Sequence, residues 1–207
     1  TPSTTCANAP KAIRLTILTV ATSPTAYLLV NLAPSPPLPV TLLIALPRPQ
    51  SLKKVLHFAA SAGIPELILF QSARVEKSYW NSTVLHPDSL ESELMEGLEQ
   101  GCGTQMPVLT FYRSFREFIS AMNERSGEFH RIVAHPVPEQ PFTEKPAAEK
   151  ILLTIGPEGG FDEAEIEEAL NSGAVPITLG RRILRTETAG LTVLSILMYH
   201  LEGKDIE

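Results

Sequence analysis

The chain predicts an α/β fold, a parallel sheet with helices on both faces, and three observations carry that prediction. From Val40 onward, short apolar runs of strand length alternate with amphipathic segments of helix length. Glycines stand where helical patterns stop, at Gly63 and Gly173. The two most unusual loops, residues 155–161 and 179–189, each follow a strand-like run and lead into a helix. In open parallel sheets that is the side on which ligands bind.

Residues 12–20 and 26–32 read as two strands around a Thr-Ser-Pro turn. Two strands alone are marginal, so they resemble the end of a β domain. Pro34, Pro36, Pro37 and Pro39 follow as a semi-rigid linker and domain boundary. The expected organisation is a β remnant over 1–33, a linker over 34–39 and a main domain over 40–207.

In the main domain, residues 40–46 are a strand and 51–62 a helix, with Leu52, Val55, Leu56 and Ala59 on one face. Residues 66–70 form the next strand. The helix over 88–101 is expected to be capped by Asp88 or Ser89, with Leu90, Leu94 and Leu98 in line. A strand over 107–111, a helix over 114–125 and strands over 131–134 and 151–155 come next. A helix over 162–172, a strand over 175–179 and a helix over 186–201 complete the order. The last helix is apolar almost all round, which predicts a buried element.

A length of 207 residues is enough for a proper core. Apolar content of 43% and charged content of 19% fit a soluble globular protein. No apolar run reaches the roughly 20 residues that span a bilayer, and residues 1–10 lack a signal-peptide pattern. Cys6 and Cys102 make neither a disulfide framework nor a metal site, so a reducing cytoplasm is expected. The five histidines show no metal-binding spacing. Net charge is -6, yet residues 1–65 carry five cations and no acid, which leaves -11 on the remainder. A cationic leading segment permits anion binding at one end.

The loop Gly156-Pro-Glu-Gly-Gly160 looks at first like a phosphate cradle. Pro157, however, has no N–H to donate, and no phosphate-binding glycine motif is present. Asp162, Glu163 and Glu165 open the following helix and already occupy its positive end. Asp162 with Glu165 has the form of a capping box. A neutral or cationic ligand needing close backbone approach fits better, and a turn with no ligand is the alternative.

In the other loop, Gly180 allows close approach, while Ile183 and Leu184 offer apolar surface. Arg181, Arg182 and Arg185 can grip phosphate or a developing oxyanion. Glu187 can neutralise an arginine, accept a proton or serve as a first-turn helix acid. A structural salt-bridge cluster is the other reading.

Gly156-Pro-Glu-Gly-Gly-Phe161 with Leu179-Gly-Arg-Arg-Ile-Leu-Arg-Thr-Glu-Thr-Ala189 resembles the RsmE-type 16S rRNA (uracil-N3)-methyltransferases of the SPOUT superfamily. The resemblance extends back through Leu46-Pro-Arg-Pro49, Arg74-Val-Glu-Lys-Ser-Tyr-Trp80 and Glu99-Gln100, covering about residues 12–201. It implies a C-terminal trefoil knot, a rare exception to unknotted topology. It further implies S-adenosylmethionine as cofactor, a homodimer, and an N-terminal PUA-like β-barrel of which residues 12–33 match only the last strands. The implied cofactor contacts begin with Ala134, His135 and Pro136, next to Val133. They continue through Ile155, Gly156, Pro157, Glu158, Gly159 and Gly160. The last group is Leu179, Gly180, Arg182, Ile183, Leu184, Thr188 and Ala189. The cofactor carries a sulfonium and no phosphate, in keeping with the argument against a phosphate cradle. The chain departs from the family pattern at Phe58, Ser61 and Gly103, where many members have Lys, Glu and Arg.

The implied target is N3 of a uridine in 16S rRNA on the small ribosomal subunit. Methylation there removes an imide proton and spreads negative charge to O2 and O4, which calls for a carboxylate base and a cation on the oxygens. Arg185 is the expected oxyanion stabiliser and Glu187 the base or orienter, with Glu158 the rival base. Arg74, Lys77, Tyr79 and Trp80 are candidates for RNA contact and base stacking, since the base must leave its stack. The competing class is a non-catalytic RNA-binding module that keeps the fold.

Overall fold

The computed structural model describes residues 14–18, 27–31, 35–125, 127, 129–136 and 150–202, the first two stretches by backbone alone. Cys6, Lys11 and the outer ends of the two leading strands lie outside the described residues. The chain divides into two compact units, Thr1–Pro36 and Pro37–Glu207. In the first, β1 (Arg14–Leu18) and β2 (Tyr27–Asn31) pair antiparallel, with Arg14 opposite Asn31 and Leu18 opposite Tyr27.

The second unit begins with β3 (Val40–Ala45), α1 (Pro49–Ser61), β4 (Glu66–Phe70) and α2 (Pro87–Gly101). β5 (Val108–Tyr112), α3 (Phe115–Glu124), β6 (His130–Ala134) and β7 (Ile151–Ile155) follow. α4 (Glu163–Asn171), β8 (Val175–Ile177) and α5 (Thr186–Glu202) complete it. The six strands lie in the order β5-β4-β3-β7-β6-β8, and every neighbouring pair is parallel. The chain therefore winds outward from β3 to β5, returns across the sheet to β6, inserts β7 between β3 and β6, and adds β8 outside β6. Ala134, the last residue of β6, stands opposite Ile155 on one side and Ile177 on the other. Three strands thus end side by side, and the loops that follow them share one edge.

The core follows from composition. β3 is buried along its whole length, as a central parallel strand must be. The predicted apolar face of α1, Leu52, Val55, Leu56 and Ala59, is buried, as are Leu90, Leu94 and Leu98 of α2. Gly97 lets α1 and α2 approach closely, since a Cβ there would lie 2.5 Å from the His57 carbonyl oxygen. Gly101 meets the Ser61 backbone in the same way one turn later. Lys53 and His57 of α1 both reach the buried Glu93 of α2. Burial pushes the Glu93 carboxyl up, but Lys53 and His57 outweigh it and hold the group below its ordinary value. Near the sheet's other helices, Phe70 stacks on Phe118 with ring centres 4.0 Å apart, and Phe161 joins that cluster.

Several expectations change. α2 begins at Pro87 behind His86, with no side-chain cap, because proline at the first turn needs no hydrogen-bond partner for its nitrogen; neither Asp88 nor Ser89 is the cap. β8 stops at Ile177, two residues short of the predicted end, where the chain turns into the loop. The segment around Lys77 is a short 3₁₀ helix, Lys77–Asn81. α5 is buried on one face only, through Gly190, Val193, Leu194 and Leu197, whereas Leu191 is 47% and Tyr199 74% exposed. Its uniform apolarity does not mean that this chain alone covers it. Among the described residues no helix is long and apolar enough to cross a membrane.

Candidate active site

The loops after β6, β7 and β8 enclose a cleft of about 340 Å³. Ala134, His135 and Pro136 form one wall, Ile155 to Phe161 a second, and Ile177 to Gly180 with Arg182 to Leu184 a third. Thr186 and Ala189 of α5 and the side chain of Arg74 complete it.

Local chemistry sets each wall. Gly160 takes a φ of +73° and its N–H donates to the Pro157 carbonyl at 2.8 Å, closing the turn that the sequence marked. Gly180, at φ +117°, turns the third loop. The buried Thr186 hydroxyl donates to the Gly156 carbonyl at 3.1 Å, so the two motif loops are tied directly. Arg74 reaches across and donates to the Gly159 carbonyl at 2.7 Å. Burial pushes the His135 imidazole below its ordinary value, which keeps it neutral beside the cleft at neutral pH.

The capping box of α4 is present, with the Asp162 carboxylate accepting from the Glu165 N–H at 2.8 Å and Glu165 accepting from the Asp162 N–H at 3.2 Å. Glu165 also accepts from the Ala73 N–H at 2.7 Å and the Ser72 hydroxyl at 2.9 Å. One buried carboxylate thus occupies the helix's positive end and anchors the loop that carries Arg74. That positive end is committed to protein groups, which supports the argument against phosphate. Apolar side chains and backbone carbonyls make up most of the lining, with Glu158 its one carboxylate beside the guanidiniums of Arg74 and Arg182, which suits an elongated ligand bearing charge of both signs.

A second cleft, also about 340 Å³, lies beyond residues 157–159 and shares them and Arg74 with the first. Leu46, Arg48, Val75, Glu76 and Tyr79 line the rest of it. Arg48 Nε lies 2.5 Å from Glu158 Oε2. Glu158, with Tyr79 contributing, raises the Arg48 guanidinium above its ordinary value.

Of the residues expected at the cofactor, all but Thr188 line the first cleft. Thr188 is exposed on the first turn of α5, facing away. Arg181 stays outside the lining. Arg185 is exposed and not part of the wall, although Leu184 and Thr186 on either side of it are. Glu187 is buried, with Oε1 3.9 Å from Lys54 Nζ and Oε2 without a hydrogen-bond partner. It too is absent from the lining, because the helical turn carries its side chain toward α1. Glu158 is the carboxylate that reaches the cleft. Trp80 donates its N–H to Gln71 and lies under Arg113, so its ring is packed and partnered. Lys77 is exposed, and Tyr79 turns to the second cleft. Sequence reasoning missed Ile177, Thr178, Phe161 and Thr186 as lining residues, and Arg48 as the partner of Glu158. Arg48 lay in the quoted Leu46–Pro49 motif, but nothing local joins it to a residue more than a hundred positions away.

A parallel sheet whose three strand ends build one cleft from glycine-rich loops defines an α/β protein with its ligand site at the C-terminal ends of the strands. The pattern of the RNA methyltransferase domain matches residues 34–198, and the chain belongs to that family. It is similar to the ribosomal RNA small subunit methyltransferase E of Treponema pallidum (strain Nichols), 30% identical over 164 residues, which are 77% of this chain and 62% of that one. The protein of the same name from Bacillus subtilis (strain 168) is 29% identical over 180 residues, 80% of this chain and 68% of that one. The chain thus spans about three fifths to two thirds of the length of these relatives. The structure of the Neisseria gonorrhoeae enzyme of that name, bound to S-adenosyl methionine, superposes with a TM-score of 0.67 at 22% identity, covering 90% of this chain and 77% of that one. The SpoU methyltransferase AviRb from Streptomyces viridochromogenes shares the fold at a TM-score of 0.57. These findings bear out the resemblance read from the two loops.

Proposed function

We propose that this protein transfers a methyl group from S-adenosylmethionine to N3 of a uridine in 16S ribosomal RNA. The observation that carries the reading is the first cleft, where the two motif loops converge with the loop after β6 and Glu158 is the carboxylate. Its walls fit the cofactor: apolar side chains for the adenosine, close backbone at the glycines, no cradle for phosphate, and a carboxylate for positive charge. When bound, the cofactor supplies an electrophilic methyl on a sulfonium. The protein's own residues do the rest. Gly156 and Thr186 hold the two loops in register. Glu158 takes the N3 proton. Arg185, exposed between two lining residues, draws in the anionic RNA from the solvent side. Glu187 orients the first turn of α5 beside Lys54.

The wider reading includes a trefoil knot, favoured by the insertion of β7 between β3 and β6. It includes β1 and β2 as part of a PUA-like barrel, a homodimer covering the exposed face of α5, and action in the cytoplasm. The test is to incubate small ribosomal subunits lacking the modification with the protein and labelled S-adenosylmethionine. N3-methyluridine at one position in 16S rRNA is the expected product. Calorimetry separates the alternative, since a pure RNA-binding module gives no heat with the cofactor.

A further inference from the structure

We propose that the second cleft is the pocket for the target nucleobase, with Arg48, Arg74 and Glu158 recognising the imide edge of uracil. This rests on the methyltransferase reading above. Arg48 and Arg74 line this cleft together with two carboxylates, Glu76 and Glu158, and of the carboxylates Glu158 alone also lines the cofactor cleft. Uracil presents acceptor, donor, acceptor along O2, N3–H and O4. Two arginines and a carboxylate are the complementary set, donor, acceptor, donor. Arg48 and Glu158 already stand as an adjacent donor and acceptor, 2.5 Å apart. Arg74 spends one N–H on the Gly159 carbonyl, and a guanidinium carries five. The half-buried Tyr79 supplies an aromatic surface for the base and holds Arg48.

The position explains why the cleft lies where it does. Residues 157–159 and Arg74 stand between the two clefts, and Glu158 lines both. A base bound in the second cleft presents N3 toward the first. The N3 proton passes to Glu158, the electron pair left on N3 forms the bond to the methyl carbon, and the pair of the broken carbon–sulfur bond stays on sulfur. The negative charge that develops on O2 and O4 meets Arg48 and Arg74. Arg48 leaves its ion pair with Glu158 as the base enters between them.

The test reads nucleoside binding as well as turnover. Uridine, cytidine and N3-methyluridine are titrated into the full chain saturated with S-adenosylhomocysteine and followed by saturation-transfer NMR. Uridine is expected to bind about 10-fold more tightly than the other two, one hydrogen bond's worth of discrimination. Arg48→Ala should weaken uridine about 10-fold while calorimetric binding of S-adenosylmethionine is retained, since Arg48 does not line that cleft. Arg48→Lys keeps the charge without the fork and should recover only part of the loss. Glu158→Gln should erase the preference for uridine over cytidine. Equal binding of the three nucleosides, no nucleoside binding, or an unaltered uridine affinity in Arg48→Ala overturns the pocket. If native protein and Arg48→Ala methylate rRNA equally, the pocket is wrong and the methyltransferase reading stands. If uridine binding depends on Arg48 but no N3-methyluridine forms in rRNA, the pocket stands and the reaction assignment fails.

Discussion

Glu158 and Glu187 show how one helical turn decides a residue's role. Both are acids of the motif segments, and the sequence reading puts Glu187 first as base, with Glu158 its rival. Glu158 is 25% exposed at its side chain and borders both clefts, whereas Glu187 is buried beside Lys54 and off the cleft wall. We therefore expect Glu158→Gln to flatten the acidic limb of the pH–rate profile, because the group that must be unprotonated is gone. Glu187→Gln should keep the shape of the profile and alter stability instead. Stopped assays over a pH series with both variants decide it, and a profile moved by Glu187→Gln alone would return the base to that residue. The same comparison limits what the arginines do. Arg182 faces the cleft and Arg185 does not, although the motif places them three residues apart in one exposed loop.

At the scale of elements, the pairing of α1 with α2 is the most specific local construction. Gly97 and Gly101 face the His57 and Ser61 backbone, which cannot rotate away as a side chain does. Gly97→Ala should therefore destabilise by about 2 kcal/mol despite the better helix propensity of alanine, as a shift in urea midpoint shows. An unchanged midpoint would mean that the helices separate freely. Glu93 makes the same interface sensitive to pH. Its carboxyl is held below its ordinary value, so the unfolded chain binds the proton more readily than the folded one. The stabilisation is complete above the ordinary carboxylate range and is lost as pH falls through that range to the lower folded value. Replacing Glu93 with Gln should cost about 2 kcal/mol at neutral pH. Toward pH 3 the cost should shrink, and a penalty independent of pH would rule out the ionic contribution. The elements themselves were legible from the sequence. The capping box at Asp162 and the stops at Gly63 and Gly173 act within a few residues, and the helix ends that depended on them fell within a residue of expectation, whereas the Ser114 cap of α3 is visible only in the structure. The cap of α2 did not fall as expected, because Pro87 made a side-chain cap unnecessary.

For the whole molecule, the exposed side of α5 is the feature that one chain leaves unexplained. Leu191 and Tyr199 are large and apolar on a helix whose opposite face is fully packed. A second copy covering this face is our reading, and it predicts that Leu191→Glu combined with Tyr199→Glu shifts sedimentation from dimer to monomer while the far-ultraviolet spectrum is retained. Native protein that sediments as a monomer at micromolar concentration would refute it.

Resemblance to a family pointed to the loops that line the first cleft, and the sequence by itself determined the α/β class and the order of the elements. Each of those rests on short-range physics: apolar periodicity, glycine at positive φ, and caps that bond within one turn. Tertiary structure alone decided the strand order, with β7 inserted between β3 and β6, because nothing local to β7 specifies its neighbours. It also decided that Arg48 meets Glu158, that Thr186 ties the two motif loops, and that Glu187 turns inward. Those contacts join residues far apart in the chain, and their partners are chosen only when the whole sheet closes.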